Sequence, residues 1–96
     1  MTKTQALLDE AASLLDSTGA ARPVVPAEVA LKCLLAAEFL EHAGARARRV
    51  DLVDGDSRAT ILAAMTALSK LDAAMFGREP VLAAARAARR ALRLLG

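Results

Sequence analysis

The chain has 96 residues, of which 55% are hydrophobic and only two, Phe39 and Phe76, are aromatic. A chain of this length predicts one domain, residues 1–96, and the scarcity of aromatic side chains argues against a stacking surface for single-stranded nucleic acid or sugar rings. The net charge of +2 hides an asymmetry, because residues 1–44 carry three Lys or Arg against six Asp or Glu, whereas residues 45–96 carry ten against five.

Alanine, with 24 residues, and leucine dominate the apolar residues. Both are strong helix formers, so the composition predicts an all-helical protein with close, Ala-lined helix contacts. Heavy use of Ala and Arg is also typical of proteins encoded by high-GC bacterial genomes. A single cysteine, Cys33, excludes an internal disulfide bond. The N-terminus shows no basic segment followed by an apolar block, so we expect no signal peptide and a cytoplasmic location.

The first helix is predicted over residues 3–17. Thr2 and Gln5 have the spacing of a capping box, and Gly19 ends the helix. Its apolar stripe consists of Leu7, Leu8, Ala11, Leu14 and Leu15. The polar side chains that we expect to face water are Asp9, Glu10, Ser13 and Asp16.

The second predicted helix, residues 26–44, is apolar on nearly every side. Pro23 and Pro26 predict a stiff segment between the first and second helices. Lys32 and Glu38 interrupt the apolar run, which argues against a membrane-spanning helix. A helix apolar all round is normally buried, so we expect a central, largely buried second helix. Its inner face is predicted to hold Val29, Cys33, Ala36, Ala37 and Leu40.

Three leucines of this helix, Leu31, Leu34 and Leu35, fall outside that inner face. Because monomers rarely expose a large apolar patch, we expect the chain to self-associate through the second helix, with a twofold homodimer as the commonest outcome. The alternative is that the first helix or residues 45–56 cover this face.

Residues 45–56 form the longest predicted connection, with Asp54 and Gly55 in a tight turn and Asp56 or Ser57 as the cap of the next helix. The arginines expected to continue the second helix as a fraying end are Arg46, Arg48 and Arg49. The apolar residues expected to close one end of the fold are Val50, Leu52 and Val53.

The third helix is predicted over residues 57–76 and the fourth over residues 80–95, separated by Gly77 and opened by Pro80. Asp72 lies inside the third stripe, where it is either a tuned acid or the partner of an arginine. The apolar side chains of the third stripe are Ile61, Met65, Leu68, Met75 and Phe76. Those of the fourth are Val81, Ala85, Ala88, Leu92 and Leu95.

Four helices with short connections and no strand signal predict an all-α, antiparallel four-helix bundle, with a helical-hairpin array as the alternative. We expect a protein–protein interaction or assembly protein rather than an enzyme, because the chain has one histidine and no Gly-rich phosphate loop. We expect no cofactor, although Met65, Met75 and Phe76 could line a cavity for a small apolar ligand.

Arginines on one side of the fourth helix form the second candidate site. They are Arg86, Arg89, Arg90 and Arg93. Such a cluster could bind nucleic acid or an acidic protein, and the alternative is a solvated face or a surface that pairs with the acidic first helix.

A metal site is a weaker candidate. Glu38, Glu41 and His42 share one side of the second helix, but the ligand set is incomplete unless a homodimer doubles it, and a Glu38–His42 ion pair is the simpler interpretation. Cys33 and His42 lie on opposite sides of the same helix, so Cys33 is expected to be a small core residue.

The sequence DGDS at residues 54–57 places an Asp-Ser pair at the start of a helix. This short stretch resembles the attachment site of acyl and peptidyl carrier proteins. The resemblance implies that Ser57 would carry phosphopantetheine, with Arg58 standing where carriers usually have an apolar residue. The alternative is that the pair only caps the helix.

Overall fold

The computed structural model describes residues 2–21 and 24–96, and all regular structure in these ranges is helical. The helices are α1 (Lys3–Gly19), α2 (Ala27–His42), α3 (Ser57–Ser69), α4 (Ala73–Phe76) and α5 (Glu79–Leu95), with a 3-10 turn at Val53–Gly55. The all-helical prediction is confirmed. The predicted stiffening by Pro23 of the segment before α2 lies outside the described residues.

The bounds of α1 follow from local chemistry. At the start, the Thr2 Oγ1 atom accepts a hydrogen bond from the Gln5 amide at 3.0 Å, which satisfies one free N–H of the first turn. At the end, Gly19 is buried against α2, and a Cβ atom there would overlap the Leu34 side chain and lie 3.0 Å from the Ala30 carbonyl oxygen. Glycine is therefore needed for the close approach of α1 and α2.

The four long helices contact one another in a ring. The main contacts of α1 are with α2 and α3, and those of α5 are also with α2 and α3. The interior is filled by leucine, valine and many alanines, and the largest fully buried apolar side chains are Leu8, Leu15, Val25, Val29, Leu40, Ile61, Leu68 and Val81. This Ala-rich interior agrees with the predicted close helix contacts.

The most buried helix is α1, not α2. Ten of the 17 residues of α1 are buried, against six of the 16 residues of α2. The prediction of a largely buried α2 is therefore wrong, although its inner face is as predicted. That buried face includes Val29, Cys33, Ala36, Ala37 and Leu40.

Residues 43–52, here called the connector, explain why α1 is so well covered. After α2 the chain does not continue as a fraying helix, so the prediction for Arg46, Arg48 and Arg49 is wrong. Instead, the amides of alternate residues bond to α1: Arg46 to Asp9 Oδ1 at 2.8 Å, Arg48 to Ser13 Oγ at 2.9 Å and Val50 to Ser17 Oγ at 2.8 Å.

The spacing of these bonds shows that the connector is extended. Each step of two connector residues matches four residues of α1, which rise by about 6 Å, so the connector advances about 3 Å per residue. The first bond of the row runs from the Gln5 side-chain amide to the Gly44 carbonyl oxygen at 2.9 Å. We call Gln5, Asp9, Ser13 and Ser17 the polar ladder.

The polar ladder corrects the expectation that Ser13 faces water, whereas Glu10 is exposed as expected and Asp9 and Asp16 are half-buried. Ser13 is 6% exposed and Ser17 is 3% exposed, because the connector covers them. An exposed ion pair between Arg49 and Asp16, at 3.4 Å, lies beside the ladder. The prediction that Val50, Leu52 and Val53 close one end of the fold is also wrong, since Val50 and Val53 are exposed and Leu52 is half-buried.

The third predicted helix is interrupted. α3 ends at Ser69, and Asp72 opens the separate helix α4 by accepting a hydrogen bond from the Met75 amide at 2.8 Å. Asp72 is thus an exposed helix cap rather than an acid within an apolar stripe. The chain then turns at Gly77 and continues as α5, with Pro80 in its first turn as predicted.

Candidate functional site

The outward side of α2 carries three exposed leucines within five residues. Leu31, Leu34 and Leu35 are 59%, 37% and 39% exposed. They lie there because the inner face of α2 is already occupied by Val29, Cys33, Ala36, Ala37 and Leu40. The helix has more apolar residues than one inner face can hold, so the remaining leucines point outward. α1 packs against Leu34 at Gly19, but it leaves a large part of all three side chains exposed, and we call these residues the leucine patch.

Exposed carboxylates lie on and around the leucine patch. Leu34 marks the side of α1, since it packs where Gly19 of α1 approaches α2. Glu41, seven residues after Leu34, lies on that same side, whereas Glu38, seven residues after Leu31, lies in line with Leu31. Glu28 lies four residues before Lys32, on the side of α5, and all three carboxylates are exposed, as is His42.

A basic flank borders the patch on the side of α5. Lys32, Leu35 and Phe39 line one wall of a groove of about 290 Å³, and the other wall belongs to α5 and includes Arg86 and Arg90. An adjoining cavity of about 300 Å³ is lined by Lys32, Arg90, Arg93 and Leu94. Four cations therefore surround a groove whose floor is apolar.

The charged side chains around the leucine patch form no internal ion pair. In the described ranges the only ion pair within 4.0 Å is the one between Arg49 of the connector and Asp16 of α1. The expected Glu38–His42 pair is therefore not formed. The acidic helix α1 does not make a main contact with α5, so it does not neutralise the α5 arginines either.

The four predicted arginines are all exposed. Arg86 and Arg90 line the groove beside α2, and Arg90 and Arg93 line the adjoining cavity, whereas Arg89 lines neither. The other arginines of the basic half, Arg46, Arg48 and Arg49, lie on the connector against α1. The positive charge of residues 45–96 is thus divided between separate surfaces.

The remaining predicted sites are explained by local structure. Asp56 caps α3, accepting from the Ala59 amide at 2.9 Å, and Ser57 is the half-buried first residue of that helix. Within residues 2–21 and 24–96, no three His, Cys, Asp or Glu side chains are placed to hold a metal ion. The cavities beside α2 are not lined by Met65, Met75 or Phe76.

Cys33 is a core residue, as predicted. It is fully buried, and burial raises the pKa of its thiol to about 12. Because the thiolate is the reactive form, burial and the raised pKa both lower the reactivity of Cys33 at neutral pH.

Comparison of the chain with protein-family models, curated proteins and solved structures found no match. None of the helices in the part of the chain that the structure describes is long and apolar enough to cross a bilayer. Sequence reasoning found the leucine patch and three of the four basic residues beside it. It missed Lys32 as a residue that lines the groove, because this position depends on α5 packing beside α2.

Proposed function

We propose that this protein acts through protein–protein contact and assembles as a homodimer through the outward side of α2. The observation that carries this proposal is the exposure of Leu31, Leu34 and Leu35 together on one helical face. Burying a leucine side chain is worth about 1.5–3 kcal/mol when it goes from fully exposed to fully buried, so three partly exposed leucines from each chain supply a substantial driving force. A patch of this kind on a soluble domain normally marks a contact surface.

The occupant that suits this surface best is a second copy of the chain. The face carries exposed carboxylates and exposed cations that form no ion pair with one another within 4.0 Å, so a second copy can bring opposite charges to them without any other partner. The groove beside α2 also continues the apolar surface, since Leu35 and Phe39 line the groove and Leu94 lines the adjoining cavity. A standard interface needs about 800 Å² from each partner, which requires the surroundings of the patch as well as the patch itself.

The same proposal includes an antiparallel four-helix bundle as the fold of each copy. The positions of residues in three helix pairs support antiparallel neighbours. Gly19, at the end of α1, meets Ala30 near the start of α2. Lys32 of α2 lines the same cavity as Arg93 of α5, and Phe39, near the end of α2, lines the same groove as Ala83, near the start of α5. The guanidinium of Arg58, at the start of α3, donates to the carbonyl oxygen of Gly96 at the end of α5.

Hydroxyl-radical footprinting over a dilution series tests where the copies meet. Leu31, Leu35 and Phe39 should be oxidised several-fold more slowly at high protein concentration than at low concentration, because the contact covers them. Leu62, which is 48% exposed on α3, is the matched control and should be oxidised at the same rate throughout. Concentration-independent oxidation at all four residues contradicts the proposal.

Binding of nucleic acid or an acidic protein through α5 is a second candidate, favoured by the exposure of all four arginines without a carboxylate nearby. If it binds DNA through four phosphate contacts, affinity should fall about a hundredfold between 50 and 200 mM salt. Replacing Arg86, Arg89, Arg90 and Arg93 by Gln should abolish binding, while Arg46→Gln with Arg48→Gln should not. No shift of DNA or RNA at 50 mM salt removes the nucleic-acid candidate.

A further inference from the structure

We propose that the space between α2 and α5 binds a small amphiphile with a phosphate head and an apolar chain. The groove and the cavity beside α2 adjoin, since Lys32 and Arg90 line both of them. The cavity holds the phosphate and the groove holds the chain. Every lining residue belongs to one copy of the protein, so the site itself does not depend on the proposed homodimer.

The cavity is suited to a multiply charged anion. Its volume is about 300 Å³, and it is lined by Lys32 from α2 and by Arg90, Arg93 and the apolar Leu94 from α5. Arg90 and Arg93 are three positions apart, so they lie on one side of α5, and Lys32 belongs to the other wall. A phosphate monoester carries a charge of about −1.5 to −2 and three acceptor oxygens, which match the donors of guanidinium and ammonium groups.

The protein itself does not neutralise these cations. In the described ranges no carboxylate lies within 4.0 Å of any of them, although Lys32 is half-buried between the two helices. Glu28 is the carboxylate on this side of α2, and it lies one turn before Lys32 without lining the groove or the cavity. One carboxylate does not balance the four cations, so the site keeps an excess of positive charge that attracts an anion. The four cations are Lys32, Arg86, Arg90 and Arg93.

The groove is suited to an apolar chain. Its volume is about 290 Å³, and its apolar lining consists of Leu35 and Phe39 from α2 and of Ala83 and Ala87 from α5. Leu35 is 39% exposed, so a chain that lies in the groove removes apolar surface from water. Inorganic phosphate would leave this lining in water. The combination therefore favours an amphiphile over a purely polar phosphate.

Binding at this site also regulates the proposed homodimer, and this part of the inference rests on that proposal. A second copy docked on the outward side of α2 covers Leu35 and Phe39, which the alkyl chain covers as well. The second copy and the amphiphile therefore compete. We expect the amphiphile to lower the fraction of dimer.

Octyl phosphate, kept below the concentration at which it forms micelles, is the probe for this site. A titration of the dilute, monomeric protein is followed by nuclear magnetic resonance. The signals of Ala83 and Ala87 should shift, because both residues line the groove. The signals of Leu62, an exposed leucine on α3, should stay in place.

A matched pair of arginine changes tests the head of the ligand. Arg90→Gln should weaken binding about tenfold, because Arg90 lines both the groove and the cavity. Arg89→Gln removes the same charge from the same helix at a position that lines neither, so it should weaken binding by no more than about twofold. Glu28→Gln removes the nearby carboxylate and should tighten binding about twofold.

Shortening the ligand tests the chain. Hexyl phosphate should bind about fourfold more weakly than octyl phosphate, because it lacks two methylene groups that the open groove covers only in part. Inorganic phosphate should bind more weakly than either. In Leu35→Ala the difference between the hexyl and octyl compounds should shrink, whereas in Leu62→Ala it should stay as it is.

Weakening by Arg90→Gln but not by Arg89→Gln, together with the dependence on chain length, supports the site. Equal weakening by the two changes would show attraction to the whole basic helix and would overturn it. Shifts at Leu62 as large as those at Ala83 and Ala87 would show coating of any apolar surface and would overturn it as well. Binding to vesicles of phosphatidic acid without binding of free octyl phosphate would assign the cations to a membrane surface, against the proposed site.

Sedimentation of the same samples separates this inference from the homodimer. A chain that is monomeric at every concentration but binds octyl phosphate as described supports the site and overturns the homodimer. A chain that dimerises when concentrated, but shows no shift at Ala83 and Ala87 when dilute, leaves the homodimer standing and overturns the site. A dimer fraction that stays the same when octyl phosphate saturates the protein overturns the competition between the ligand and the second copy.

Discussion

Replacing Leu31 and Leu35 by glutamate is expected to convert the dimer into a folded monomer. The two changes remove apolar area from both copies and place four carboxylates in the contact, which should cost about 4 kcal/mol or more, equivalent to a weakening of roughly a thousandfold. The monomer should remain folded, because Leu31 is 59% exposed and Leu35 is 39% exposed in the single chain. Sedimentation velocity and the far-ultraviolet helical signal measure the two effects.

The matched control for this change is Leu62→Glu. Leu62 is 48% exposed, but it lies on α3, away from the leucine patch. The control should keep the association state of the unmodified protein. Equal dissociation by both variants would show that any added charge disrupts the assembly, and it would contradict a contact centred on α2.

Replacing Ser13 and Ser17 by alanine is expected to loosen the connector from α1. Each serine hydroxyl accepts from one connector amide, at 2.9 Å for Arg48 and 2.8 Å for Val50. A hydrogen bond of this kind contributes about 1 kcal/mol, so the double variant should lose about 2 kcal/mol of unfolding free energy and about 8–16 °C in Tm. Hydrogen exchange at the Arg48 and Val50 amides should also become faster.

Ser69→Ala is the control for the serine changes. Ser69 is exposed, and its hydroxyl donates only to the Thr66 carbonyl oxygen within its own helix. Its removal should change Tm by little, and the connector amides should exchange as before. If the double variant at Ser13 and Ser17 kept its Tm and its slow exchange, the ladder would have no role in holding the connector.

The helices with a strong apolar period were predictable. The start of α1 and the inner face of α2 follow from side chains that act within a few residues of one another. The start and end of α5 are signalled by Pro80 and by the apolar spacing that follows it. In each case the structure is decided by interactions between residues that are close together in the sequence, namely helix caps and the spacing of apolar side chains.

The connector was not predictable in this way. Its sequence contains no proline and resembles the end of a helix, and the oxygens that hold it extended lie more than 30 residues away on α1. Asp9 and Ser13 have the spacing of an ordinary water-facing stripe, so nothing local marks them as acceptors. The break before α4 was missed because a residue that caps a helix, Asp72, was interpreted by its place in the apolar period.

The candidate site could be predicted in part. The exposure of leucine on α2 was predictable, because this helix has more apolar residues than its inner face can hold. The basic flank was not, because Lys32 and the α5 arginines come together only when α5 packs beside α2. The site is thus a product of one helix's composition and of the neighbours that the fold gives it.

Sedimentation equilibrium of the unmodified protein at tens of micromolar, in moderate salt, tests the homodimer most directly. The chain has a mass of 10.0 kDa. The proposed contact predicts a reversible monomer–dimer equilibrium with an average mass near twice that value, falling on dilution. A mass that stays at that of a single chain across the whole concentration range would contradict it.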